Sequence, residues 1–255
     1  MMKMMNIAIF YNPLLKANLK EVKDVKKALE SYENTVVLYK ANKDIIKNIQ
    51  KNNYDMIFNL THDIDTNLNS AMTAICELSE IKVISPKIFT SLIVKDKDLL
   101  FDILKYDNIS VIENIDSDLY RDMIEVFLLE NKDPLIFINK RFNHYISDPY
   151  YDNIKRMCVK SFKSIHGSNY CKFQILIDAL NNLFLTNINP FPYLGKNNIF
   201  PKLVKQNGIE YADFINYIIA NAAYRYHISI PEIYEQLRQN FNLYHQTNKI
   251  LLRGV

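Results

Sequence analysis

Glycine is nearly absent. The 255-residue chain holds four, at positions 167, 195, 208 and 254, where average usage would supply about 7%. A loop that cradles phosphate on backbone N–H groups needs glycine, both for positive φ and for close approach of the backbone to the anion. The nucleotide-binding signatures built on such loops are therefore excluded from the first 166 residues. A coding bias toward Lys, Asn, Ile and Tyr accounts for the scarcity equally well, but it does not supply the missing loops. Cysteine is scarce too: Cys76, Cys158 and Cys171 are odd in number and lack a C-x-x-C spacing, which argues against a disulfide framework and a zinc site. A reducing, cytoplasmic setting is expected.

Charge of either sign is not in excess. Thirty-one basic against 28 acidic side chains leave +3, without a long basic run, so neither nucleic acid nor a membrane surface is an expected partner. No run approaches the roughly 20 apolar residues that span a bilayer. The opening MMKMMNIAIFYNP is broken by Asn6 and ends without a small-residue cleavage site, and it reads as a first β-strand rather than a leader. The G-x-S-x-G, H-E-x-x-H and EF-hand patterns do not occur.

What is present is alternation. Short apolar runs at 6–11, 35–40, 55–60 and 81–85 have the length and branched composition of buried strands. Helix-like stretches near 16–31, 43–52 and 67–79 separate them, which predicts a mainly parallel sheet flanked by helices. A helix over 95–106, a short strand ISVIE (109–113), a helix near 117–131 and a strand PLIFIN (134–139) follow. From 151 the pattern changes: a helix ends at His166-Gly167, read as a glycine C-cap, and YCKFQILID with NLFLTNIN reads as an antiparallel hairpin about Ala179-Leu180-Asn181. Helices near 199–207 and 210–226, and one opened by Pro231 and running to about 241, complete the chain.

An ordered series of segments from about 155 to 222 resembles the C-terminal part of D-alanine–D-alanine ligases, in the ATP-grasp superfamily: SFKSIHGSNY, CKFQILID, FLTNINP, NIFPKLVKQ and NGIEYADFINYII. More weakly, YDMIFNLTH resembles the strand before the family's His-Gly turn, and SLIVKDKDLL its M-D-K helix start. The resemblance implies an α/β fold, with an N-terminal pre-ATP-grasp-like parallel sheet flanked by helices and a reduced ATP-grasp-like C-terminal domain. The expected boundaries are 1–94 for the first, 95–150 for a reduced central segment, and 151–255 for the C-terminal domain with an extra helix.

In the family an Asp on the first hairpin strand, and a Glu and an Asn on the second, hold the magnesium that bridges ATP phosphates. Aligned on Asn189, the Asp position is Gln174 and the Glu position is Asn187. Two carboxylates have become amides, and neutral amides do not offset the dehydration cost of magnesium. Asp178 lies on the same strand face as Gln174 and is the alternative metal ligand, although an Asp at a hairpin end is commonly a turn residue. Lys172 stands for the family's arginine and lacks its bidentate fork. Asn198 stands for the serine that helps bind the acceptor, and the loop glycine is Tyr193, whose ring either packs the loop or points toward the substrate's space.

Lys97 and Lys140 are the counterparts of the two ATP-gripping lysines, the second only with a two-residue shift. RFNHYISDPYYD replaces the loop that should cover the phosphates. His62 matches the family's histidine, but HDIDTN replaces H-G-x-x-G-E, and NPLLKANLKEV stands where a glycine-rich turn and an amine-binding Glu are expected. Asp63 and Asp65 with His62 make a small metal-site candidate, against the plainer reading of helix-capping acids. The resemblance thus implies a degenerate relative with no catalytic or metal residue kept and no cofactor expected. It would act by binding a partner protein, or a small amino-acid-like ligand at Lys172, Asn189, Asn198 and His62. Two alternatives remain: an ATP-dependent carboxylate–amine ligase with unusual metal ligands, using Mg-ATP, or a structural subunit self-associating through its N-terminal half.

Overall fold

The computed structural model describes residues 4–42, 44–51, 53–62, 67–112, 120–139 and 148–251. In chain order the elements are β1 (Asn6–Tyr11), α1 (Lys16–Glu30), β2 (Thr35–Lys40), α2 (Ile45–Lys51), β3 (Met56–Asn59), α3 (Leu68–Leu78) and β4 (Val83–Ile84). These are followed by α4 (Ile88–Lys95), α5 (Lys97–Tyr106), β5 (Tyr120–Leu129), β6 (Leu135–Asn139) and α6 (Asp148–Ser164). Last come β7 (Tyr170–Asp178), β8 (Leu183–Asn189), α7 (Ile199–Gln206), α8 (Tyr211–Arg225) and α9 (Glu232–Leu251). The chain forms two compact units, Met1–Ile88 with Tyr193–Phe241 and Phe89–Pro192 with Asn242–Val255. The division expected from the sequence, at 94 and 150, follows chain order, whereas compactness groups residues 193–241 with the first 88 residues.

The first unit contains a four-stranded sheet in the order β2-β1-β3-β4, every pair parallel. A strand covered on both faces must be apolar throughout, and Ile7, Ala8, Ile9 and Phe10 of β1 are all fully buried. The switch from βα alternation to an adjacent strand pair marks the second unit. Its sheet is antiparallel, in the order β6-β5-β7-β8.

Strand alternation sorts that second sheet into two faces. Ile124, Val126 and Leu128 of β5 and Phe173, Ile175 and Ile177 of β7 share one core with Ile154, Cys158 and Phe162 of α6. The residues between them, Glu125, Lys172 and Gln174, fall on the opposite face, with the cross-strand partners Asn187 and Asn189 of β8.

Four local expectations are corrected. The helix foreseen near 117–131 is strand β5: charges at 121, 122, 125 and 130 imitate a helical period, but the ladders to β6 and β7 make this a central strand, and tertiary pairing overrides the local pattern. Over 109–112 the strand ISVIE is reduced to a single bridge, Val111 to Leu185. At the end of α6 the left-handed residue is His166, with φ 53°. Gly167 is required for a different reason, since a Cβ there would sit 2.4 Å from the Phe162 ring. Finally, α9 runs ten residues beyond the expected end at 241.

Candidate functional site

On the face of the second sheet away from this core, the register across three strands sets Glu125 opposite Gln174 and Gln174 opposite Asn187. Lys172 lies two residues before Gln174 and pairs with Asn189. Its Nζ is 2.5 Å from Oε1 of Glu125, in an ion pair whose side chains keep only 22% and 12% of their exposure. Asn139 of β6 donates to the other Glu125 oxygen at 3.0 Å. Asn187 Nδ2 donates to Gln174 Oε1 at 3.1 Å, so the two amides at the implied carboxylate positions bond to each other. Asn189 is exposed, and its Oδ1 accepts from the Phe191 N–H at 2.8 Å.

A magnesium ion on this face would meet the wrong donors. Hard divalent cations need anionic oxygen, and the pair that would bracket the ion is neutral. The nearby carboxylate, Glu125, is engaged by Lys172 and Asn139. This set does not fit magnesium. Nor does Asp178 supply the missing ligand: its carboxylate accepts the Leu180 and Asn182 N–H groups and the Asn182 amide, in a turn. Those bonds, the Asn182 side chain first, hold its pKa below the ordinary carboxylate value.

The first unit carries a second polar cluster. Helix α1 buries Asn18, Glu21, Val22 and Val25, spaced as one helical face that includes two polar residues. Glu21, 1% exposed, lies with Oε2 2.8 Å from Nε2 of His62, just beyond β3. Asn18 donates to that same Oε2 at 3.0 Å, and the other oxygen, Oε1, accepts the Leu194 N–H at 2.5 Å. Asn18 also donates to the Leu60 carbonyl and accepts the Asn12 N–H, tying the ends of β1 and β3 to the helix. The Tyr193 ring stacks on His62 with centroids 3.7 Å apart. Burial, and then the Glu21 charge, push the Tyr193 phenol above its usual value. Next in the loop, Gly195 is demanded by packing, because a Cβ would meet Asn198 Oδ1 at 2.7 Å and the Glu21 backbone at 3.2 Å.

The expected site residues therefore divide. Lys172 and Asn189 are register partners in one unit, and His62 and Asn198 belong to the other. Asn198 is the exposed N-cap of α7 and makes no side-chain cap bond. Lys97 opens α5 beside its N-cap Asp96 and is exposed. Lys140, Asp63 and Asp65 lie outside the described residues. Two carboxylates escaped sequence reasoning. Glu21 comes from the very stretch, NPLLKANLKEV, that lacked an amine-binding Glu in the expected place, and its signal was its position on the apolar stripe of α1. Glu125 stood out only as a single charge inside the apolar run MIEVFLL.

Residues 97–220 match the family model described as the D-ala D-ala ligase C-terminus. The D-alanine–D-alanine ligase of Bacillus licheniformis is 28% identical over 81 residues, which are 32% of this chain and 22% of that protein. D-alanine–D-alanine ligase B of Clostridium perfringens is 28% identical over 69 residues, 27% of this chain and 23% of that protein. The matched stretch thus spans less than a quarter of these curated relatives. Among solved structures, D-alanine–D-alanine ligase from Bacillus anthracis complexed with ATP superposes with a TM-score of 0.69 at 13% identity, covering 86% of this chain and 97% of that one. VanG D-Ala:D-Ser ligase from Enterococcus faecalis gives 0.70 at 11%, covering 86% and 100%. At such identities the likeness shows the fold, which is that of the ATP-grasp class. The matched segment, residues 97–220, is similar to the C-terminal part of D-alanine–D-alanine ligases and lies within that fold.

Proposed function

We propose that this chain uses the ligase-like fold for binding and not for ATP-driven ligation, its ligand being a partner protein or a small amino-acid-like molecule. The observation that carries this reading is the Gln174–Asn187 amide pair beside the Glu125–Lys172 ion pair. Together they replace an anionic metal cradle with a self-satisfied, nearly neutral surface. The stack of Tyr193 on His62 supports it, since the ring occupies the approach to a histidine that the family resemblance makes a substrate residue. A thermal-shift titration with Mg-ATP tests it. A ligand at 100 times its dissociation constant would add roughly 2.7 kcal/mol; without binding, millimolar Mg-ATP leaves the midpoint unmoved. A saturable rise of several degrees, with ADP release on adding D-alanine, would overturn the proposal.

One observation favours a second reading, an ATP-dependent carboxylate–amine ligase with unusual metal ligands. Glu125 places a carboxylate on the same sheet face, directly across from Gln174. Under that reading Glu125→Gln abolishes the Mg-ATP response, whereas under the binding reading there is no response to abolish.

A further inference from the structure

Away from that sheet face, the second unit has a cleft of about 350 Å³ between α6, the start of the loop after α5 and the β7–β8 turn. That volume is in the range of small-molecule sites. Its walls are assembled from three places in sequence. Helix α6 contributes Asn153, Arg156 and Lys160, whose spacing stacks them along one exposed helix face. The loop contributes Asn108 and Ser110, and the hairpin turn contributes Asn181. Both turn asparagines have left-handed backbones, φ 52° at Asn108 and 66° at Asn181, which fixes the two edges of the cleft. Asn182 and the apolar atoms of Ile109, Met157 and Leu183 complete the lining.

The charge of this cleft is one-sided. Two cations line it and no carboxylate does. Of the acidic groups near it in sequence, Asp107 accepts the Ser164 hydroxyl and Asp178 is bound by Leu180 and Asn182 in its own turn, while Asp152, one helical turn before Arg156, is exposed and does not line the cleft. Among the described residues neither Arg156 nor Lys160 stands in an ion pair, while the neighbouring Lys155 does, with Asp133. Like charges four apart on a helix disfavour the helix by a few tenths of a kcal/mol, and an anion between them reverses that sign. A guanidinium fork and an ammonium converging with amide and hydroxyl donors are the set that clustered anionic oxygens satisfy.

We propose that this cleft binds a small phosphate-bearing anion, gripped by Arg156 and Lys160 and oriented by the asparagines. It does not depend on the sheet face, so its fate is separable from the function proposed above. Isothermal titration of the full chain with inorganic pyrophosphate, at constant ionic strength and without magnesium, reads it directly. Saturable one-to-one binding is expected. The double variant Arg156→Gln with Lys160→Gln should weaken it at least about tenfold, the equivalent of one charge-assisted hydrogen bond. Both residues are exposed, so the fold should persist by circular dichroism. Lys163→Gln, on the same helix but outside the cleft, should bind as wild type. Citrate in place of pyrophosphate distinguishes phosphate from carboxylate oxygens, and tighter binding of citrate would overturn the phosphate assignment. No saturable heat at millimolar pyrophosphate, or equal binding by the double variant, would overturn the site.

Discussion

Tyr193 lies on His62 with the two rings 20° from parallel, and the next residue's N–H, on Leu194, is bonded to the buried carboxylate that also faces His62. Glu21 therefore anchors the loop and the histidine together. Gln at position 21 keeps one acceptor oxygen but turns an amide NH₂ toward either the Leu194 N–H or the Asn18 amide, both of which need an acceptor. Glu21→Gln should cost about 1.5–3 kcal/mol, the worth of hydrogen bonds to a charged group. The readout is a lower urea midpoint with an unchanged slope. A variant within about 0.5 kcal/mol of wild type, the scatter of ordinary surface changes, would show that Glu21 does not hold the loop.

Alkaline pH should weaken the fold through its buried tyrosines. Burial, with lesser help from Asp133 and Asp152, pushes the Tyr151 phenol to about 12, and burial does the same for Tyr234 against the opposing pull of its Asn34 hydrogen bond. Both are raised above the ordinary value near 10, so the native state holds these protons more tightly than the unfolded chain. Their contribution is fully present below about pH 10 and is lost as pH rises through about 12. Tyr234 also donates to Asn216 and accepts from Asn34. Tyr234→Phe should therefore cost about 0.5–1.5 kcal/mol at neutral pH and flatten the decline between pH 10 and 12. An unchanged alkaline slope would remove Tyr234 from this account.

The Glu125–Lys172 pair makes a sharper test of the sheet face. With 12% and 22% side-chain exposure it is neither a solvated surface pair nor a fully buried one. Glu125→Gln leaves Lys172 charged over the Phe127 ring without its carboxylate, at an expected cost of about 1–2 kcal/mol, between the two limits. Adding Lys172→Met should recover much of that loss, because a charge pair exchanged for apolar and neutral groups is often neutral in stability. Additive losses in a double-mutant cycle would mean that the two side chains are not coupled.

How legible the molecule is from its sequence depends on which signal decides each part. The parallel sheet could be read because strands such as Ile7–Phe10 are buried on both faces and so are continuously apolar. The 170–189 hairpin could be read from two runs bounded by a turn, with Asp178 bonded as a turn residue. Strand β5 could not, because Arg121, Asp122 and Glu125 break its alternation and only pairing with β6 and β7 selects the strand. Gln174 and Asn187 were found by position and prove to be register partners. Glu21 and Glu125 were missed for a common reason: each acquires its role from a residue far away in sequence, His62 and Lys172 respectively.

Restoring the carboxylates to the amide pair tests what the sheet face has become. Glu125, Gln174 and Asn187 follow one another across β5, β7 and β8 in direct register. Gln174→Asp with Asn187→Glu would therefore line up three acids, with Lys172 already committed to the first. Like charges directly opposite destabilise a sheet by up to about 1 kcal/mol per pair, and the amide–amide hydrogen bond, worth about 0.5–1.5 kcal/mol, is lost as well. In chelator the double variant should be less stable than wild type by about 1–3 kcal/mol. Excess magnesium should return part of that loss, because a cation between the new carboxylates removes their repulsion. Wild type, whose amides offer magnesium nothing comparable, should not respond. The variant should still make no dipeptide from ATP and D-alanine, since Tyr193 remains stacked on His62. If it is as stable as wild type in chelator and forms dipeptide when magnesium is supplied, then the two amides were the whole difference between this chain and a ligase.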